Sequence, residues 1–228
     1  DLNADSLKYH LSCPQQFLAR HKIYSENVYW MWKIPHVIEY PYAYFLALGA
    51  ESSVKILVML LASAGILGVI QALPFTVRPI HAIGITGVSL LINPAGWIIM
   101  TAKNDLGVAA LGLAATGLAI RIIFHAPGVR PHPGYLLLYG FLLGMFSTAK
   151  YVVLPFAFAL ALLPCLTGRR SISPLIYICL GGALTFLPWS AKSFLFSQDP
   201  LYPYLTITFP GFMAKNFNSL ITSMEIHA

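Results

Sequence analysis

Two ionisable residues, Asp105 and Lys150, border long apolar segments, where a charged side chain is costly and often functional. Asp5 lies near the N-terminus, and a carboxylate there could take a proton from an acceptor hydroxyl group. Lys150 separates two apolar runs and could reach a lipid phosphate, while Asp105 opens another apolar run. Each residue also has a purely structural interpretation. Asp5 and Asp105 would serve as helix N-caps, and Lys150 as a lysine whose ammonium extends to the membrane surface.

The apolar segments around these residues predict an all-α fold, a polytopic transmembrane helix bundle. The chain of 228 residues is 57% hydrophobic and only 10% charged, whereas soluble domains carry about 25% charged residues. A spanning helix needs about 20 apolar residues. We predict one membrane domain over 1–228, and Lys150 splits its longest apolar stretch in two. The predicted spans are 52–73, 80–102 (with a kink at Pro94), 106–124, 135–149, 151–166 and 174–189.

Alternation of these spans across the membrane assigns each connecting loop to one side. The arginine-bearing loops contain Arg78, Arg121, Arg130, Arg169 and Arg170. The positive-inside rule places that side in the cytoplasm. The other side then receives residues 1–51, Asp105, Lys150 and residues 190–228, which we predict to be an extracytoplasmic loop followed by the start of a further segment. We therefore expect the candidate chemistry on the extracytoplasmic face of a cell membrane.

Residues 1–51 are predicted to form an extracytoplasmic loop bearing interfacial helices. Residues 5–20 have helical spacing of apolar side chains, and residues 24–44 are rich in Trp and Tyr, which favour the headgroup region. The chain begins at Asp1 and ends shortly after a loop. We therefore expect a helix to be missing before Asp1 and further helices after Ala228.

Several common chemistries are excluded by what the sequence does not contain. It has no dinucleotide-binding glycine pattern, P-loop, nucleophile elbow or zinc-protease motif. His10, His21 and His36 are too scattered to predict a metal site, and the cysteines show no metal spacing. Single basic residues between apolar segments do not favour nucleic acid as the partner, despite the net charge of +6.

Four motifs in this order resemble the GT-C superfamily of membrane glycosyltransferases, in particular bacterial relatives of protein O-mannosyltransferases and aminoarabinose transferases. The motifs are the acidic segment 5–14, the segment 103–106, the glycine-rich segment 140–150 ending in Lys150, and Pro188-Trp189 followed by 199–203. Two positions differ from the family pattern. Asp199 occupies the place of the usual asparagine, and Gln198 that of the usual glycine.

The resemblance implies transfer of a sugar from a polyprenyl-phosphate donor to an acceptor glycan, lipid or protein, with inversion at the anomeric carbon. Asp5 would be the general base and Asp105 would orient the acceptor or a neighbouring base. Lys150, helped by His10 and Lys103, would bind the donor phosphate. Tyr9, Trp189 and Lys192 would belong to the acceptor and loop region. The resemblance requires no cofactor or metal, although some relatives use a divalent cation, and it implies a bacterial inner-membrane location.

Two other functions remain open at the level of sequence. A transporter or flippase of lipid-linked sugars would have repeats, broken helices and a polar site at mid-membrane. In this sequence the ionisable residues lie at the ends of apolar segments, which favours a site facing the surface. An envelope-assembly protein without enzymatic activity would tolerate replacement of Asp5 and Lys150.

Overall fold

The computed structural model describes residues 10–21, 37–50, 53–73, 77–91, 105–124, 131–166, 173–197 and 199–208. These residues form helices and turns, with no strand among them. The helices are α1 Ser12–Arg20, α2 Glu39–Ala47, α3 Ser53–Ala72, α4 Pro79–Leu91, α5 Asp105–Phe124, α6 Pro133–Ala149, α7 Leu154–Leu166, α8 Ser173–Ser197 and α9 Tyr204–Thr208. A 3₁₀ turn, Tyr151–Val153, precedes α7.

Three of the described helices, α3, α5 and α8, are long and apolar enough to cross a membrane. They contain 20, 20 and 25 residues. At a rise of about 1.5 Å per residue, 20 residues extend about 30 Å, which matches the hydrocarbon core of a bilayer. Large apolar side chains remain exposed on these helices, among them Leu60, Leu184 and Leu195. These three helices suggest a membrane protein, because exposed leucines at this density are unfavourable in water.

Close helix packing organises the bundle into two pairs. In the α6–α8 pair, a Cβ atom added to Gly140 would overlap the carbonyl group of Ile178, and one added to Gly144 would overlap the Thr185 hydroxyl group. Only glycine permits the two backbones to approach this closely. Small residues at the contact allow the same close packing between helices in membranes. Because residue numbers increase together along the contact, α6 and α8 run parallel.

The second pair, α3 and α5, is also parallel and is joined to α6 by an antiparallel contact. A Cβ atom added to Gly65 would lie 2.9 Å from the Ala110 carbonyl oxygen, and one added to Gly117 would lie 3.0 Å from that of Gly68. Phe146 of α6 packs on Gly112 of α5, with the chains in opposite directions. The bundle therefore has one end where α3 and α5 begin and α6 and α8 end, which we call the polar end.

The short helices α1 and α2 pack at the polar end. Ile38, just before α2, contacts Gly107 in the first turn of α5. Tyr40 of α2 lies against Trp189 of α8, with ring centroids 5.3 Å apart. Leu11, Ile38 and Tyr42 belong to the same apolar core as residues of α3, α5 and α6. Residues of the 1–51 region therefore share an end of the bundle with Asp105 and Lys150.

The helix bounds agree with several predicted spans and differ from one. The bounds of helices α3 and α5 lie within one residue of the predicted spans 52–73 and 106–124. Helix α4 begins one residue before the predicted span 80–102. Residues 92–104, which include Pro94, lie outside the described residues. Helix α8 continues beyond 189, the predicted end of the sixth span, through Pro188 to Ser197. An internal proline costs a helix about 3 kcal/mol. Beyond Pro188, Ser193 and Ser197 are buried, and the Ser197 hydroxyl group donates to the Ser193 carbonyl in the last turn of α8.

Candidate functional site

Asp105 and Lys150 form an ion pair at the polar end, although 45 residues separate them in sequence. Asp105 is the first residue of α5, where the helix dipole favours a negative charge. Lys150 directly follows α6, and its Nζ donates to Asp105 Oδ1. The antiparallel arrangement of α5 and α6 brings these two helix ends together. The Lys150 side chain is 44% exposed and the Asp105 side chain is 38% exposed, so a ligand from solvent can reach both.

The chain breaks at Lys150 for local reasons. Lys150 has an extended backbone, with φ −160° and ψ 112°. Pro155 has no N–H and so cannot donate to the Tyr151 carbonyl, which interrupts any continuous helix through this region. As the second residue of α7, Pro155 instead fits the first turn of a new helix. The prediction of two short helices with a turn near Lys150 therefore describes the observed geometry.

A second polar cluster lies buried where α1, α2 and α8 meet, and we call it the Glu39 cluster: His10, Cys13, Glu39 and Lys192. His10 Nδ1 lies 2.7 Å from Glu39 Oε1, and their side chains are 2% and 1% exposed. Lys192 is 8% exposed and interacts electrostatically with Glu39 and Cys13. Its Nζ also lies 5.3 Å from the centre of the Trp189 ring, a cation–π distance.

Burial dominates the acid–base behaviour of the neighbouring side chains. It raises the pKa of the Cys13 thiol, and the Glu39 carboxylate adds to the rise while Lys192 opposes it. Burial likewise raises the pKa of the Tyr42 phenol, with smaller contributions from the Glu39 and Asp105 carboxylates. Both carboxylates influence the Tyr42 phenol, which places this side chain in the neighbourhood of Glu39 and Asp105.

The segment after α8 folds back onto that helix. Asp199 is fully buried and its Oδ1 accepts a hydrogen bond from the Leu201 N–H at 2.8 Å. The Ser190 hydroxyl donates to the Pro200 carbonyl at 3.0 Å. An asparagine could accept the same Leu201 bond through its amide oxygen, so aspartate at this position preserves the turn. Burial raises the pKa of Tyr202 to about 12, and a nearby Asp199 carboxylate contributes.

The residues predicted from sequence fall into three groups. Asp105 and Lys150 are brought together. His10, Trp189 and Lys192 meet in or beside the Glu39 cluster, where the His10 side chain is buried against Glu39. Lys192 is a buried residue of α8 and not part of an outer loop, because α8 extends beyond Pro188. Asp5, Tyr9 and Lys103 lie outside the described residues.

Sequence reasoning missed Glu39, the residue at the centre of the buried cluster. A signal for it exists, because Glu39 is a single carboxylate within the aromatic segment 37–48. A lone charge in such a segment indicates a buried partner. The part of the chain that the structure describes contains no group of three His, Cys, Asp or Glu residues able to hold a metal ion.

Comparison with known proteins gives no relative for this chain. No protein-family model, no curated protein and no solved structure matches it.

Proposed function

We propose that the chain is a multi-pass membrane glycosyltransferase that uses a polyprenyl-phosphate sugar. The observation that supports this best is the Asp105–Lys150 pair, an accessible cation and carboxylate at one end of an apolar bundle. A polyprenyl-phosphate donor has a matching shape, with an apolar chain for the membrane and an anionic group at its surface. A lysine at a helix end can meet that phosphate while the lipid lies along the exposed apolar side chains.

In the proposed reaction, an acceptor hydroxyl oxygen attacks the anomeric carbon of the sugar. The bond between that carbon and the phosphate oxygen breaks, and its electron pair leaves with the polyprenyl phosphate. The proton of the hydroxyl group goes to the Asp5 carboxylate as general base. Lys150 stabilises the negative charge that develops on the leaving phosphate. Asp105 holds the Lys150 ammonium in place and orients the acceptor.

In the orientation that we propose, the polar end faces outside the cytoplasm. Arg78 precedes α4 and Arg121 lies in the last turn of α5, both at the opposite end of the bundle. The positive-inside rule favours the cytoplasm for that end. Lipid-linked sugars, rather than nucleotide sugars, would then be the donors available to the polar end.

The proposal is tested by a sugar-transfer assay in membranes that contain the full-length protein. The donor is a radiolabelled sugar on polyprenyl phosphate, and the acceptors are isolated envelope fractions. We expect transfer by the natural protein, loss of transfer with Asp5→Asn, and at least about a tenfold rise in donor KM with Lys150→Ala. The control Lys55→Ala removes another lysine near the polar end and should leave donor KM unchanged.

Three results would contradict the proposal. Normal transfer by Asp5→Asn would remove Asp5 as the base, and an unchanged donor KM with Lys150→Ala would assign Lys150 to anchoring. Movement of the lipid-linked sugar across liposomes without transfer would indicate a flippase.

A further inference from the structure

We infer that Glu39, His10 and Lys192 are positioning residues that fasten α1 and α2 to the end of α8. Each comes from a different segment: His10 precedes α1, Glu39 begins α2, and Lys192 lies in α8. A long stretch of chain separates α1 from α8, so the position of α1 relative to α8 depends on non-covalent contacts between their side chains. The activity part of this inference rests on the proposed glycosyltransferase function, whereas the structural part does not.

The burial of Glu39 makes the interaction strongly dependent on its partners. A carboxylate that is 1% exposed is unfavourable unless charges and hydrogen bonds compensate for the lost water. His10 supplies a hydrogen bond of 2.7 Å, and Lys192 supplies an opposite charge. Removing one member takes away part of the compensation for the buried Glu39 charge, whereas removing the Glu39 and Lys192 charges together also removes the need for it. The cluster therefore holds the three segments together only when it is complete.

The position of His10 in the sequence connects the Glu39 cluster to the proposed base. Asp5 precedes His10 by five residues. Five residues extend at most about 18 Å, so anchoring His10 limits how far Asp5 can be from the polar end. Loosening the anchor should reduce the fraction of molecules in which the base can act, without altering the affinity for the donor phosphate. The expected kinetic result is a lower kcat with an unchanged donor KM.

The structural part is tested by the reactivity of Cys13, the member of the cluster that carries a thiol, which is 1% exposed. In a full-length background with Cys165→Ser and Cys179→Ser, the labelling of Cys13 by N-ethylmaleimide is measured. We expect Glu39→Gln to accelerate labelling at least about tenfold, because local opening exposes the thiol. Asp105→Asn, a matched loss of a carboxylate at the same end of the bundle, should not accelerate it.

Two further variants separate the cluster from a general loss of folding. His10→Asn keeps an N–H donor near the position of Nδ1 and should label as slowly as the natural protein, whereas His10→Leu should label fast. The double variant Glu39→Gln, Lys192→Met removes both charges and should restore slow labelling, even where Glu39→Gln alone fails to fold. Slow labelling with folded Glu39→Gln, or fast labelling with the double variant, would overturn the inference.

The activity part uses the same variants in the sugar-transfer assay. We expect kcat to fall at least about tenfold for His10→Leu with donor KM unchanged, and to recover for His10→Asn. An unchanged kcat in a variant whose Cys13 labels fast would refute the positioning role. Absence of transfer by the natural protein would refute the proposed function instead, and the labelling rates would still decide whether the cluster fastens the helices.

Discussion

At the polar end, Asp105 pairs with Lys150 and Glu39 pairs with His10, and the two pairs differ mainly in their exposure to solvent. The Asp105 and Lys150 side chains are about 40% exposed, whereas those of Glu39 and His10 are almost fully buried. Ion pairs as exposed as the first contribute at most about 1 kcal/mol to stability. Breaking a buried pair by removing one partner costs about 3–5 kcal/mol. The exposed pair can therefore exchange partners with a ligand, and the buried pair is suited to holding structure.

A charge exchange tests this distinction at the Asp105–Lys150 pair. The double variant Asp105→Lys, Lys150→Asp retains an ion pair but places each charge at the helix end whose dipole disfavours it, so we expect a loss of only about 1–2 kcal/mol of stability. Because the carboxylate now stands where the donor phosphate should bind, sugar transfer should fall at least about a hundredfold. Thermal unfolding in detergent and the transfer assay measure the two effects. Transfer by the double variant at the rate of the natural protein would show that any ion pair suffices, which would contradict phosphate binding by Lys150.

At the level of residues, sequence predicts charges at the ends of apolar segments but not their partners. Asp105 and Lys150 stand out because each interrupts apolar sequence. The pairing of His10 with Glu39 spans 29 residues and depends on how α1 and α2 fold onto the bundle. No local pattern contains that information, so Glu39 was missed and His10 was expected at the phosphate.

At the level of elements, glycines set the distance between α6 and α8. A Cβ atom at Gly144 would meet the Thr185 hydroxyl group and the Gly182 carbonyl group. We therefore expect Gly144→Ala to destabilise the protein by about 1–3 kcal/mol through overpacking. Gly84→Ala in α4 is the matched control, because no atom lies within 4 Å of its Cβ position. The control should be neutral or stabilising, since alanine favours helix by up to about 1 kcal/mol.

Thermal unfolding of the purified protein in detergent compares these two variants. Equal unfolding midpoints would contradict the close α6–α8 contact.

The ends of helices are harder to predict from sequence than their positions. Apolar length located α3 and α5 within one residue, because each matches a membrane thickness. The last turns of α8, beyond Pro188, contain the buried residues Lys192, Ser193 and Ser197, and a rule about proline does not detect such tertiary contacts.

At the level of the whole molecule, the arrangement of the helices determines which residues share a side of the membrane. Lys150 and Arg78 are exposed residues at opposite ends of the bundle. In a cysteine-free background, we expect Lys150→Cys to react with a membrane-impermeant maleimide in intact cells. Arg78→Cys should react only after permeabilisation, because the arginine-bearing end faces the cytoplasm in the proposed orientation. Labelling of both positions in intact cells would contradict the proposed multi-pass orientation.

The shortness of α7 has a consequence for the membrane around the protein. The turn and helix from Tyr151 to Leu166 extend only about 26 Å, at rises of about 2.0 Å and 1.5 Å per residue. If α7 crosses the membrane, as the proposed multi-pass arrangement has it, a hydrocarbon core about 30 Å thick would adapt to so short a segment by thinning locally. In the proposed orientation, thinning would draw the phosphates of the outer leaflet inward, toward the depth of the Lys150 ammonium. In the proposed reaction, the polyprenyl tail of the donor would then stay in the bilayer while its phosphate reaches Lys150.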